Sequence, residues 1–242
     1  MELQNKVALV TGGAVRLGRA LALALVAEGA RVIIHYGHSS GAADELLAEI
    51  TARGAEATAM QADLRQPDAV LALIERAVAH FGTIDILINN AAIFEPGNWD
   101  DTTEENWERH FAINLKAPFF LSQAFAKQHP HGRRGHIVNI ADWRGERPGT
   151  DHVAYTLTKA GIIALTKSLA LALAPEIQVN AISPGLILPP PGRDQSYLDS
   201  KAAHIPAQRV GSPEEIARAM LFLLHSDFVT GEVLHVTGGE HL

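Results

Sequence analysis

Seven short apolar runs along this chain of 242 residues alternate with segments of helical periodicity. Alternation of that kind favours one arrangement: parallel strands side by side, with the intervening helices covering both faces. Apolar runs at 7–10, 31–35, 56–61, 84–88, 136–140, 177–182 and 232–236 predict the strands. Helices are expected over 16–28, 41–53, 67–80, 103–128, 152–174 and 212–224, with Pro67 suited to a first turn and Pro118 bending the longest. The predicted fold class is α/β: a Rossmann-type, doubly wound, seven-stranded parallel sheet flanked by helices, in a single domain over 1–242. Residues 183–212, rich in Pro and Gly, form the one long irregular stretch. It follows a strand's carboxyl end, so a substrate loop is expected at about 185–212, with Pro189-Pro190-Pro191-Gly192 in its specificity-setting part.

The first strand ends in Thr11-Gly12-Gly13-Ala14-Val15-Arg16-Leu17-Gly18, which runs into the first helix. Backbone N–H groups and the positive helix end meet there, and glycine lets a pyrophosphate approach closely. A plain strand–helix turn is the competing reading of the glycines alone. The end of the second strand bears on the choice of dinucleotide. It reads His35-Tyr36-Gly37-His38-Ser39-Ser40, with no acid before Asp44 to hold a ribose 2′-hydroxyl. A 2′-phosphate can meet His38, Ser39, Ser40 and Arg16 instead, which predicts NADPH (NADP) as cofactor. Alternatively, the serines cap the next helix.

Composition narrows the rest. Hydrophobic residues make up 47% of the chain, enough for a large core. There are no cysteines, which removes disulfides and thiolate metal sites and agrees with a reducing, cytoplasmic setting. The formal charge of −7 argues against nucleic acid as a partner. No uninterrupted apolar run approaches the ~20 residues of a membrane span, so no membrane partner is expected. No metal site is expected either: His129 and His131 flank Pro130 without a carboxylate at ligand spacing, and read as solvated surface.

The chemistry-bearing residues are Tyr155, Lys159 and Asp142. Tyr155 and Lys159 lie four apart in a predicted helix and share a face. The ammonium is thus expected to lower the phenol's pKa and to hold a ribose. Asp142 precedes the tyrosine by thirteen residues. In Ala141-Asp142-Trp143-Arg144-Gly145 it can also be read as a turn cap pairing with Arg144.

With these residues in view, the whole chain resembles the short-chain dehydrogenase/reductase family. Thr11-Gly12 through Gly18 matches its glycine motif, Asp63-Leu64 its adenine-side pair, and Asn89-Asn90-Ala91-Ala92 its Asn-Asn-Ala-Gly turn. Asn114 stands at its catalytic asparagine, Tyr155-x-x-x-Lys159 is its active-site motif, and Ser183-Pro184-Gly185 follows the sixth strand. The resemblance implies that Gly12, Arg16, Leu17, Gly18, Asp63, Leu64, Asn90, Ala91, Tyr155, Lys159, Pro184 and Gly185 touch cofactor. It also implies a homo-oligomer, usually a tetramer.

Two departures resemble a subgroup, the pteridine reductases and bacterial dihydromonapterin reductases: Arg16 at a usual glycine, and Asp142 at the usual catalytic serine. The resemblance then implies substrate contacts from Arg16, Phe94, Asp142 and Tyr155, with Phe94 stacking on a pterin; as a residue alone, Phe94 also suits an ordinary core. His38 stands where the subgroup often has arginine. A carboxylate at position 142 would repel the charge developing on a ketone oxygen, whereas a C=N reduction must deliver a proton to nitrogen. The expected function is NADPH-dependent reduction of a pterin C=N bond, with Tyr155 and Asp142 delivering the proton. A water chain through Asn114 is expected to hold Lys159. The alternatives are a carbonyl or 3-oxoacyl-thioester reductase of the same family and, from another class, an inactive nucleotide-binding protein.

Overall fold

The computed structural model describes residues 1–190 and 192–242, so Pro191 of the expected specificity segment lies outside the described residues. The seven strands are β1 (Val7–Val10), β2 (Arg31–Tyr36), β3 (Ala57–Gln61), β4 (Ile86–Asn89), β5 (Gly135–Ile140), β6 (Ile177–Pro184) and β7 (Val233–Val236). They form one sheet in the order β3-β2-β1-β4-β5-β6-β7, parallel throughout. Strand order reverses between β1 and β4, which places a ligand crevice at their carboxyl ends.

Among the described residues, eight α-helices accompany the sheet: α1 (Arg16–Ala27), α2 (Ser40–Ala52), α3 (Pro67–Phe81), α4 (Glu104–Phe111), α5 (Ala117–Gln128), α6 (Val153–Leu173), α7 (Gln195–Ala202) and α8 (Pro213–His225). Successive strand residues feed opposite cores, as the pleat requires. Ala8 and Val10 of β1 pack with Leu21, Leu25, Met220 and Leu224 of α1 and α8. Val7 and Leu9 pack with Leu73, Leu121 and Phe125 of α3 and α5. Helix α6 is long and apolar enough to cross a membrane, yet it lies against the sheet and buries Tyr155, Lys159, Ile162 and Thr166 there.

Two segments differ from the sequence reading. The stretch expected as one bent helix over 103–128 is α4, a π-helical turn at Ala112–Lys116, and α5 with Pro118 in its first turn. Proline has no N–H to give the preceding turn, and the ladder widens before it. Asn114 sits in that widened turn and is buried. The segment expected to be irregular also contains α7, whose start is capped by the Asp194 carboxylate on Ser196 N. Only Leu198 of α7 is buried, so its sequence carries no apolar stripe to reveal it.

Candidate active site

The nucleotide end is built by β1, β4 and the turn into α1. Thr11 Oγ1 accepts from Asn90 N and Ala91 N at 2.9 and 3.0 Å. Asn90 Nδ2 donates to Thr11 O at 2.8 Å and Gly12 O at 3.2 Å. Gly12 has φ +60, and a Cβ on Gly18 would collide with Gly12 O and lie 2.7 Å from Asn90 Nδ2. The turn is therefore closed to any larger residue at position 18. Val15 caps α1 without a side-chain bond and the first turn has no acid, which leaves N–H groups of α1 for an anion such as the pyrophosphate.

His35, to which the sequence reading gave no role, ties this turn to the adenine side. Its Nδ1 accepts from Gly12 N at 3.1 Å and its Nε2 lies 3.1 Å from Ala62 O. Burial pushes the imidazole down to about 4, so it is neutral, with the proton on Nε2. Leu64 is buried next to this contact, and Asp63 turns its carboxylate to Arg65 at 2.7 Å. His38, Ser39 and Ser40 are exposed beyond β2. Ser39 stands at the start of α2 without a side-chain capping bond, so the capping alternative is not realised there. Leu17 is half-buried, and Arg16, at φ +53, donates from Nη2 to Pro189 O at 2.7 Å across the crevice. That bond joins the glycine turn to the loop expected to hold substrate.

At the chemical end, Tyr155 Oη donates to Asp142 Oδ2 at 2.7 Å. Asp142 Oδ1 accepts from Arg144 N at 2.9 Å, so the same carboxylate both caps its turn and meets the phenol. Burial raises the Asp142 carboxyl above its ordinary value. Burial and the neighbouring Asp142 push the Tyr155 phenol well up. The sequence reading expected Lys159 to lower it; instead Lys159 Nζ donates to Ile140 O at 2.7 Å, and its own pKa falls to about 8 through burial. A carboxylate within hydrogen-bond distance stabilises the protonated phenol and penalises the phenolate. This pair holds a proton rather than a base.

Asn114 grips the chain beside Phe94. Its Oδ1 accepts from Ile93 N and its Nδ2 donates to Ile93 O, both at 2.9 Å, with Thr158 Oγ1 at 3.4 Å from Nδ2. Phe94 is half-buried, edge-on to Tyr155 with ring centroids 4.7 Å apart. Its ring also stacks on His152 at 4.0 Å and 5°. Pro184 ends β6 and Gly185 N donates to Val236 O at 3.0 Å; Leu186 N then donates to Glu240 Oε2 at 3.0 Å. The sequence reading missed Glu240, Asp151 and His152. An Asp-His pair directly before a helix was the available signal for the last two. It also misplaced His129, which is buried and stacks on Phe125.

Comparison with known proteins fits this geometry. The profile of the family described as enoyl-(acyl carrier protein) reductase matches residues 13–241. The 3-oxoacyl-[acyl-carrier-protein] reductase FabG of Staphylococcus epidermidis is 35% identical over 243 residues, covering 98% of this chain and 100% of the relative. The chain is a short-chain dehydrogenase/reductase. Among solved members, FolM alternative dihydrofolate reductase 1 from Brucella canis, complexed with NADP, superposes with a TM-score of 0.95. It is 33% identical, with 99% of this chain and 95% of that one covered. A short-chain dehydrogenase from Burkholderia cenocepacia in complex with NADP gives 0.92 at 34% identity over the full length of both. This short-chain dehydrogenase/reductase thus has the family's Rossmann-type sheet.

Proposed function

We propose that this short-chain dehydrogenase/reductase reduces the C=N bond of a dihydropterin, and by extension dihydrofolate, with NADPH. The carrying observation is the Asp142–Tyr155 pair at 2.7 Å. A carboxyl raised by burial and a phenol kept protonated suit proton delivery to a ring nitrogen. Asp142 does not suit an anionic oxygen, which it would repel once ionised. The Asp142 carboxylate also accepts from the amino and ring N–H groups that a pterin presents.

The cofactor is NADP(H): solved relatives of this fold are complexes with NADP. The narrow turn at Gly12 and Gly18, the open N-terminus of α1 and the acid-free end of β2 fit it. Arg16, Leu17, Asn90, Ala91, Pro184 and Gly185 would border it, with His38, Ser39 and Ser40 at the 2′-phosphate and Asp63 and Leu64 at the adenine. Bound there, it supplies the hydride. Tyr155 would give its proton to the substrate nitrogen and would be reprotonated from solvent, with Asp142 as the relay. Lys159, anchored on Ile140 O, would hold a ribose hydroxyl, and Phe94 would stack on the pterin ring. Arg16 would leave Pro189 O to meet substrate and phosphate.

A 3-oxoacyl-thioester reductase is the second reading, and the 35% identity to FabG favours it. Asp142 speaks against it; the intact Tyr155 and Lys159 speak against an inactive binder. By family likeness we also propose a cytoplasmic homotetramer acting on a small molecule. NADPH oxidation with 7,8-dihydropterins beside acetoacetyl thioester tests the reading. Turnover of the pterin, abolished in Tyr155→Phe, supports it, and turnover of the thioester alone overturns it.

A further inference from the structure

Phe94 has no polar atom to fix its ring, so its orientation must come from the groups that touch it. Tyr155 meets it edge-on, and His152 covers a face at 4.0 Å, with the two planes within 5°. His152 is itself held in place. Its Nδ1 lies 2.9 Å from Asp151 Oδ2, and Arg144 Nη1 donates to Asp151 Oδ1 at 2.8 Å. Arg144 holds the Asp151 carboxyl down at about 2, so the anchor stays ionised over any working pH. The backbone of His152 lies in the left-handed region, at φ +55, directly before α6. A residue with a side chain is strained there, and such strain persists only where surrounding contacts hold it. The contacts close a ring: Tyr155 to Asp142, Asp142 to Arg144 N, Arg144 to Asp151, Asp151 to His152, His152 to Phe94, and Phe94 to Tyr155.

We propose that His152 is a positioning residue that acts through Phe94 to set the aromatic wall beside Tyr155, and so the affinity for a flat substrate. The choice of a dihydropterin as that substrate rests on the function proposed above; the coupling between positions 152 and 94 does not. Stacking delivers the effect, while the Asp151 bond fixes the plane in which the imidazole can stack. An aromatic pair of this geometry supports a change of about three- to tenfold in affinity.

The test is a double-variant cycle on whichever of dihydropterin or 3-oxoacyl thioester the wild-type enzyme turns over. Asn tolerates the left-handed backbone and can still donate to Asp151, but has no ring. His152→Asn is therefore expected to raise the substrate KM about three- to tenfold, with kcat, NADPH KM and Tm close to wild type. His152→Phe keeps a ring but loses the Asp151 bond, and is expected to restore the KM in part. In a Phe94→Leu background, His152→Asn is expected to add nothing. Additive effects of the two changes would overturn the proposal, as would a parallel loss of Tm and NADPH affinity. If His152→Phe does not fold, the Phe94→Leu cycle decides alone. Failure of the functional reading shows separately, as absence of dihydropterin turnover by the wild type.

Discussion

Tyr155 Oη donates to Asp142 Oδ2 at 2.7 Å, and the lysine one helical turn on is committed elsewhere, to Ile140 O. A phenol on a carboxylate is a proton store, whereas a phenol on a bare ammonium would be poised as a base. Under the proposed function, the proton-delivering half of the reduction falls to this pair. Asp142→Asn keeps the shape and removes the titrating oxygen. We expect kcat for dihydropterin reduction to fall by about two orders of magnitude or more, with NADPH KM unchanged in steady-state assays. A variant with wild-type kcat would remove Asp142 from the proton path.

Lys159 carries a testable cost. Its pKa drops to about 8 on burial, so below that pH the folded state holds a charge that water would stabilise better, by about 3 kcal/mol. From pH 8 up to the ordinary lysine value the unfolded chain binds more protons than the native one, and stability from this group rises with pH. Lys159→Met should thus be inactive yet melt a few degrees higher than wild type at pH 7. The gap should narrow between pH 8 and 10 in thermal melts without nucleotide. A lower Tm for the variant at pH 7 would contradict this.

Gly18 is closed by its neighbours. A Cβ there meets the Gly12 carbonyl and lies 2.7 Å from Asn90 Nδ2, and both are backbone or hydrogen-bonded groups with little room to move. Gly18→Ala should cost about 1–3 kcal/mol, read as a lower denaturation midpoint, and should weaken NADPH binding at least tenfold by fluorescence titration. Unchanged NADPH affinity would mean that the dinucleotide does not use this turn.

The acid-free end of β2 predicts the coenzyme preference. His38→Asp places a carboxylate where a 2′-phosphate would lie and a 2′-hydroxyl could be held. NADPH KM should rise at least tenfold, while NADH KM stays level or falls. Equal effects on both coenzymes would place the 2′-phosphate elsewhere.

Much of this was legible in the sequence for an identifiable physical reason. Buried parallel strands are apolar runs: Val7–Val10 read as such, and 84–88 was read where the strand is Ile86–Asn89, because both faces are covered. Glycines and prolines marked the turn at Gly12 and the start of α3 at Pro67. Asp142 and Tyr155 were legible as a pair only through their offset; their 2.7 Å contact needed β5 and α6 side by side. What stayed hidden were links between distant segments without periodicity. His35 to Gly12 and Ala62, Arg16 to Pro189, and Glu240 to Leu186 join separate loops, and no local pattern announces them. The phenol's raised pKa was misread because sequence shows the nearby lysine but not which oxygen it faces.

The most direct measurement gives the wild-type enzyme NADPH and an equal mixture of 7,8-dihydropterin and acetoacetyl thioester, and follows both products by chromatography. The Asp142–Tyr155 arrangement predicts tetrahydropterin as the dominant product, lost in both Tyr155→Phe and Asp142→Asn. Hydroxyacyl thioester as the dominant product, surviving in Asp142→Asn, would contradict the account.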